Sequence, residues 1–199
     1  MQLDGISLIR LTPEHSIKPF DCDNEDLNDF FINNCVHYQN ELLAVTYILE
    51  NHEKTVAFFS ILNDKIALKD VGNPNLWDKL FREKMPENKR FNSYPAMKIG
   101  RLGVNVEFKG QKIGTAIIDY LKAWFITNNR TGCKYITVDA YSESLNFYKK
   151  NKFNFLTEKD VNKDTRAMYF DLQQIANLNT QVATEPLIDS SSLPAPSSN

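Results

Sequence analysis

Residues 99–125 read IGRLGVNVEFKGQKIGTAIIDYLKAWF and pass from strand through turn to helix in one stretch. Ala96 to Val104 (AMKIGRLGV) has the apolar, branched composition of a strand, and Asn105 to Gln111 interrupts it. From about Lys112 to Thr127, the residues Ile113, Ala116, Ile117, Leu121 and Trp124 recur at the spacing of one helical face, which predicts a helix lying against a sheet. A strand that enters a glycine-containing turn and then a helix presents several unpaired backbone N–H groups at the positive end of the helix dipole. Together these make a phosphate site. Gly110 and Gly114 let the backbone approach an anion with no side chain between. Glycine before a helix also serves purely structural ends, so this unit alone is a moderate signal.

Strands and helices continue to alternate downstream. Lys134 to Ala140 (KYITVDA) reads as a buried strand, Ser144 to Asn151 as a short helix, and Phe153 to Thr157 and Arg166 to Leu172 as two further strands. Upstream, Ile6 to Leu11 alternates like a first strand and is ended by Thr12-Pro13. Asp23 is the expected cap of a helix over Asn24 to Gln39, in which Leu27, Phe30, Phe31, Cys35 and Tyr38 form an aromatic stripe. That stripe suits core packing, and its exposed edge suits the lining of a substrate cleft. Two runs, Leu43 to Glu50 and Thr55 to Asn63, flank the turn-forming Asn51-His52-Glu53-Lys54 and predict a hairpin. Val71 to Asn92 reads as a loop with one helix, an irregular insert of the kind that often overlies a substrate site.

The chain has 199 residues, 42% of them hydrophobic, which suits one domain and is thin for two. Residues 1–174 are expected to form that domain. Residues 175–199, rich in Ser, Pro, Asn and Thr, have too few apolar groups to offset the entropy of ordering and are expected to be a flexible tail. A net charge of −2 argues for neither a polycation nor a disordered polyanion and does not favour nucleic acid. The three cysteines, Cys22, Cys35 and Cys133, lack metal-ligand spacing and are expected to be buried thiols, with no metal bound. The first residues lack the pattern of a signal peptide and no run approaches a membrane span, so the cytoplasm is the expected compartment and no membrane partner is expected.

The segment Leu102 to Leu121, and KGQKIGT in particular, resembles motif A of the GNAT N-acetyltransferases, whose pattern is Q/R-x-x-G-x-G/A. Lys109 stands at the Q/R position and Gly114 at the final small residue, while Lys112 replaces the middle glycine. FYKKNKF (Phe147 to Phe153) is similar to the family's F-Y-x-x-x-G-F element, with Lys152 at its glycine; TVDAY and RAMYFDL resemble the strands on either side. A Walker loop would need Gly-Lys-Ser/Thr, and a dinucleotide fingerprint would need GxGxxG with a following ribose-binding acid. The early FDCDNEDLNDFF, with TYILE after it, resembles a GNAT subgroup that includes toxins acetylating aminoacyl-tRNA.

The resemblance implies an α/β (α+β) fold: a mixed, mostly antiparallel twisted sheet with a central splay and helices on both faces. It implies that the backbone of Leu102, Gly103 and Val104 pairs with the pantetheine arm of acetyl-CoA as another strand would. Lys109, Gly110, Gln111, Lys112, Ile113, Gly114 and Thr115 would hold the pyrophosphate. The N–H of Lys112 still serves there, and its cation adds attraction provided the backbone does not need a positive φ. Tyr148 is the expected proton donor to the departing thiolate, since a phenol with a pKa of about 10 stays protonated at neutral pH. The Val104 N–H would polarise the thioester carbonyl. The base is not identified by the sequence; candidates are Glu107, Glu143, Asp139 and His37, none with a signal above that of a solvated surface group. Arg101 is placed to meet an anionic substrate or to pair within the domain. Arg82, Lys84, Lys89, Arg90 and Lys98 are candidates for contact with tRNA phosphates, and equally for ordinary surface charges interspersed with Glu83 and Glu87.

The expected function is therefore transfer of the acetyl group of acetyl-CoA to a primary amine, on a small molecule or protein, by direct attack in a ternary complex. An aminoacyl-tRNA acceptor is the alternative within that chemistry. A non-catalytic CoA-binding or interaction module is the alternative outside it, motivated by the two lysines at glycine positions. A homodimer is compatible with all three.

Overall fold

The computed structural model describes residues 5–83, 86–87, 91–127 and 131–176. Within them seven strands form one sheet in the order β1-β2-β3-β4-β5-β7-β6. The strands are β1 (Ser7–Arg10), β2 (Val45–Glu50), β3 (Thr55–Ala67), β4 (Ser93–Val104), β5 (Tyr135–Tyr141), β6 (Asn154–Phe155) and β7 (Thr165–Asp171). All neighbours run antiparallel except β4 and β5, which are parallel. A parallel pair needs a long crossover, and α5 (Ile113–Ile126) supplies it. The expected mixed, mostly antiparallel sheet is therefore present.

Helices cover both faces because strand residues alternate inward and outward. Phe59 packs with Ile113, Ile117, Ile118 and Leu121 of α5, while its neighbour Phe58 points to the opposite face and meets Phe30, Phe31 and Cys35. Phe31 stacks on Phe58 with ring centroids 4.5 Å apart. These residues belong to α1 (Glu25–Asp29), a wider π turn over Phe30–Asn34, and α2 (Cys35–Asn40). The single helix expected over residues 24–39 is thus interrupted. The π turn lets two consecutive aromatics, Phe30 and Phe31, both become buried. Asn24, not Asp23, caps α1: its side chain accepts from the Leu27 N–H at 3.0 Å, and Asp23 lies just outside at φ +61°.

The insert behaves differently from expectation. α3 (Leu68–Val71), α4 (Pro74–Trp77) and a π turn at Asp78–Arg82 build a separate aromatic core, in which Trp77 and Phe81 are fully buried against Tyr94, Tyr135 and Tyr169. It seals one end of the sheet. Ile175 packs against the main core, and the rest of the tail expected from residue 175, from 177 onward, lies outside the described residues. No helix among the described residues is long and apolar enough to cross a membrane.

Candidate functional site

Pairing between β4 and β5 stops at Ile99 opposite Val138, although β4 continues to Val104 and β5 to Tyr141. The cause lies on the other edge of β4. Ser60 faces Arg101 and Ile61 faces Ile99, so Gly100 is an extra residue, a bulge that bends and twists the strand away from β5. A Cβ on Gly100 would lie 2.8 Å from Leu62 Cδ2, so a larger residue at the bulge would require the Leu62 side chain to shift.

The bulge leaves backbone groups without strand partners. Asn105 N–H donates to the Val56 carbonyl at 2.9 Å. Because alternate residues of an antiparallel strand point to the same neighbour, the Gly103 amide also faces β3, and those of Leu102 and Val104 face the opening. Gly103 is a packing glycine as well, for a Cβ there would lie 2.7 Å from the Phe58 ring and 3.2 Å from Phe20.

Two clefts open along this splay. The first, of about 480 Å³, is lined by every residue expected to hold the cofactor except Gln111, which is exposed and turns its side chain to the Glu107 carbonyl at 3.4 Å. At its end the N–H groups of Ile113, Gly114 and Thr115 start α5 with no acceptor among the described residues, and Lys112 adds no side-chain cap. Lys112 lies at φ +60°, so its cation sits at the rim of the cleft on a backbone with the positive φ that the sequence reading sets as the unfavourable case. The lysine adopts the glycine conformation of the motif at a cost of about 1 kcal/mol. Lys109, at the edge of the cleft, stands 3.5 Å from Asp23 on the exposed surface.

The second cleft, of about 510 Å³, runs between Lys98–Leu102 of β4 and Val138–Tyr141 of β5, under Leu27, Phe30 and Tyr38. Leu27, Leu102, Tyr141 and Ser144 line both clefts, so the first directly adjoins the second. Tyr148 stands in the wall of the second. It belongs to α6 (Leu145–Lys150), is 5% exposed, and is wedged between Phe147 and Phe153 with ring centroids 5.0 and 5.4 Å away. Its hydroxyl has no hydrogen-bond partner among the described residues, and burial pushes its pKa above the ordinary phenol value.

The end of α6 fixes this tyrosine. Phe153 N–H donates to the Tyr148 carbonyl at 3.0 Å and Lys152 N–H to the Lys149 carbonyl at 2.9 Å, a Schellman closure with Lys152 at φ +67°. Lys122, buried in α5, donates to the Asn151 carbonyl at 2.8 Å and lies 4.2 Å from the Phe170 ring centroid. Burial holds its pKa below the usual lysine range. Its place beside the helical stripe carried no sign of this role, because a lysine there reads as surface.

The candidate bases separate. Asp139 lines the second cleft and pairs with Lys98 at 2.5 Å; Glu143 is exposed beside the first. Glu107 pairs with Lys54 at 2.5 Å, and His37 is exposed; neither lines either cleft. Arg101 is held inside the domain: it donates to the Gly100 carbonyl at 2.9 Å, lies over the Phe30 ring at 5.1 Å, and stands 3.7 Å from Asp26. Of the basic scatter, Arg82 pairs with Asp78 and Lys98 with Asp139, while Lys84, Lys89 and Arg90 lie outside the described residues. No described residue of the insert from Val71 to Asn92 lines either cleft. Cys22 and Cys35 are buried thiols as expected, whereas Cys133 is only partly covered.

Comparison with known proteins agrees with this geometry. No curated protein sequence matches the chain. Among solved structures, the chain resembles a mutant AtaT toxin bound to the C-terminus of the antitoxin AtaR and acetyl-CoA, with a TM-score of 0.67 and 19% identity over 89% of this chain and 100% of that one. It also resembles a tyrosine-to-phenylalanine mutant of KacT (TM-score 0.70, 15% identity, 87% and 99% covered). A third is AtaT complexed with acetyl-methionyl-tRNA (TM-score 0.65, 18% identity, 87% and 99% covered). The family model described as acetyltransferase (GNAT) family matches residues 11–153, which include both clefts' strands, the amide-bearing helix start and Tyr148. With the splay and its two adjoining clefts already in place, that match settles the family: the chain belongs to the GNAT acetyltransferases.

Proposed function

We propose that residues 1–174 form an N-acetyltransferase domain that binds acetyl-CoA along the first cleft and passes its acetyl group to a primary amine entering through the second. The observation that carries this reading is the splay at Gly100. It turns the Leu102 and Val104 amides toward two adjoining clefts, with unpaired helix amides at the end of one and an unpaired tyrosine hydroxyl in the wall of the other.

In this reading the pyrophosphate lies on the Ile113, Gly114 and Thr115 amides, with Lys112 and Lys109 adding charge from the rim. Pantetheine pairs with Leu102 and Val104, and the Val104 N–H polarises the thioester carbonyl. The amine nitrogen attacks that carbonyl carbon in a ternary complex. As the tetrahedral intermediate collapses, the C–S bond breaks and the sulfur takes the Tyr148 hydroxyl proton; solvent restores it. The Asp139 carboxylate is already engaged by Lys98, so in this reading the attacking amine arrives neutral and releases its proton to water.

An aminoacyl-tRNA amine is the second acceptor to test, because one similar structure holds acetyl-methionyl-tRNA. A non-catalytic CoA-binding module is the competing class, and the two motif glycines replaced by lysine at positive φ favour it. Calorimetry with acetyl-CoA followed by thiol-release assays separates these outcomes. Failure to bind removes the enzyme, binding with no turnover of any amine or aminoacyl-tRNA leaves the module, and turnover establishes the transferase.

A further inference from the structure

Of the residues that α5 buries, Lys122 alone is charged, and its side chain is 6% exposed. An ammonium taken out of water needs acceptors for its N–H groups, whereas a methionine of similar length would fill the space without that demand. What this cation meets is specific. It donates to the Asn151 carbonyl at 2.8 Å and lies 4.2 Å from the Phe170 ring centroid and 5.9 Å from that of Phe153. Asp119, one turn back on α5, stands 4.0 Å away on the exposed side.

The carbonyl that Lys122 holds belongs to the residue that ends α6, where backbone carbonyls have no partner within the helix. Asn151 is itself buried and turns its N–H at 3.1 Å and its side-chain amide at 2.9 Å to the Phe147 carbonyl. Phe153 donates its N–H to the Tyr148 carbonyl at 3.0 Å and sets its ring 5.4 Å from that of Tyr148. Two routes therefore lead from one ammonium to the tyrosine, through the backbone at the end of α6 and through the Phe153 ring.

The geometry points to Lys122 as a positioning residue for acetyl transfer: by clamping the end of α6 to α5, it sets where the Tyr148 hydroxyl stands in the wall of the second cleft. This rests on the reading above in which Tyr148 protonates the departing sulfur. A lysine that only filled space would be replaceable by an apolar side chain of its length at no cost to the rate.

The test combines Lys122→Met and Tyr148→Phe, singly and together, in the full chain. Thiol release from acetyl-CoA is measured with the fastest acceptor among glycine amide, phenylalanine amide, spermidine and methionyl-tRNA. Lys122→Met should lower kcat about tenfold and leave calorimetric acetyl-CoA affinity within about twofold. In the Tyr148→Phe background that loss should vanish, because the clamp then has no hydroxyl to place. In chains labelled with fluorotyrosine, the fluorine resonance that Tyr148→Phe removes should shift in Lys122→Met. Lys122→Gln, neutral but polar, is the second variant and is held to the same outcomes if the methionine variant does not fold. A kcat equal to that of the unmodified chain, an equal fold-loss with and without the Tyr148 hydroxyl, or an unmoved resonance overturns the inference. Failure of both variants to fold also overturns it, since Lys122 would then serve the fold alone. Unchanged kcat in Tyr148→Phe instead removes the proton-donor reading beneath it, and no thiol release with any of the four acceptors removes the transferase.

Discussion

The Tyr141 hydroxyl donates a 3.0 Å hydrogen bond to Asp26 Oδ2, joining residues 115 positions apart across the mouth of the splay. Tyr141 ends β5 and lines both clefts, and Asp26 lies in the first turn of α1 beside Leu27, which also lines both. The bond therefore fastens a helix on one face of the sheet to the strand that has parted from β4. Arg101, which lines the second cleft, approaches the same carboxylate at 3.7 Å.

Cutting that strap should loosen the clefts without unfolding the protein. A hydrogen bond to an exposed carboxylate contributes about 1 kcal/mol, so Tyr141→Phe should lower stability by no more than that. Acetyl-CoA dissociation in stopped flow should quicken about threefold to fivefold. Asp26→Asn, which also removes the charge facing Arg101, should quicken it at least as much. Dissociation rates identical to the unmodified chain in both variants would show that the strap does not retain the cofactor.

Tyr148→Phe should lower kcat about a hundredfold with little change in acetyl-CoA affinity, because the hydroxyl acts on the departing sulfur and the ring supplies the packing. Burial raises this phenol's pKa, and the sign follows directly. The acid form needed for donation persists to higher pH than in a free tyrosine, so the rate should climb as the acceptor amine deprotonates and show no fall up to about pH 10. A descending limb between about pH 8 and 9.5 would assign proton donation to some other group.

Two lysines hold a conformation that suits glycine, at Lys112 (φ +60°) and Lys152 (φ +67°). Lys152→Gly should leave the Schellman closure intact and relieve strain, stabilising the protein by about 0.5–1 kcal/mol in urea unfolding, with kcat unchanged. Lys112→Gly should stabilise by a similar amount and weaken acetyl-CoA by about threefold or less, a loss that salt should mask, since only the rim charge is removed and the amide remains. A loss far beyond that would mean the Lys112 side chain, not its backbone, carries the anion.

Much of this was legible in the sequence because periodicity reports burial. The hairpin around Asn51, the β4 strand and the α5 helix were all readable, the strands as apolar runs and the helix by the face that buries Ile113, Ile117 and Leu121. What escaped depends on distant partners. Gly100 reads as an ordinary strand residue until Ser60 and Ile61 are paired against it, and that pairing makes it the bulge that opens the site. Phe30 and Phe31 both fit a helical stripe within error, so the π turn that buries them together left no separate mark. The insert looked like a cover for the substrate because it is short and broken by Gly72 and Pro74. Its Trp77 and Phe81 instead found Tyr94, Tyr135 and Tyr169, three tyrosines scattered through strands whose adjacency exists only in the folded sheet. Lys122 was legible only as a surface charge until the Asn151 carbonyl came within reach.

Gly114 offers the most direct test of the anion site, because substitution there should spare the fold and impair the ligand. It lies in the first turn of α5, and a Cβ would stand 3.2 Å from two atoms of the Phe147 ring and 3.8 Å from a Val104 methyl, inside the cleft those residues share. Valine is a better helix former than glycine by a few tenths of a kcal/mol, so Gly114→Val should fold with near-unchanged stability once Phe147 shifts. Its two methyl groups would stand between the anion and the Ile113 and Thr115 amides. Acetyl-CoA affinity in calorimetry should fall more than about tenfold, which is about 1.4 kcal/mol. Gly110→Ala makes the control: a Cβ there meets nothing within 4 Å, so its positive φ of +82° should cost about 1 kcal/mol of stability and leave little steric effect on binding. If Gly114→Val folds and binds acetyl-CoA as tightly as the unmodified chain, the amides of α5 do not hold the pyrophosphate.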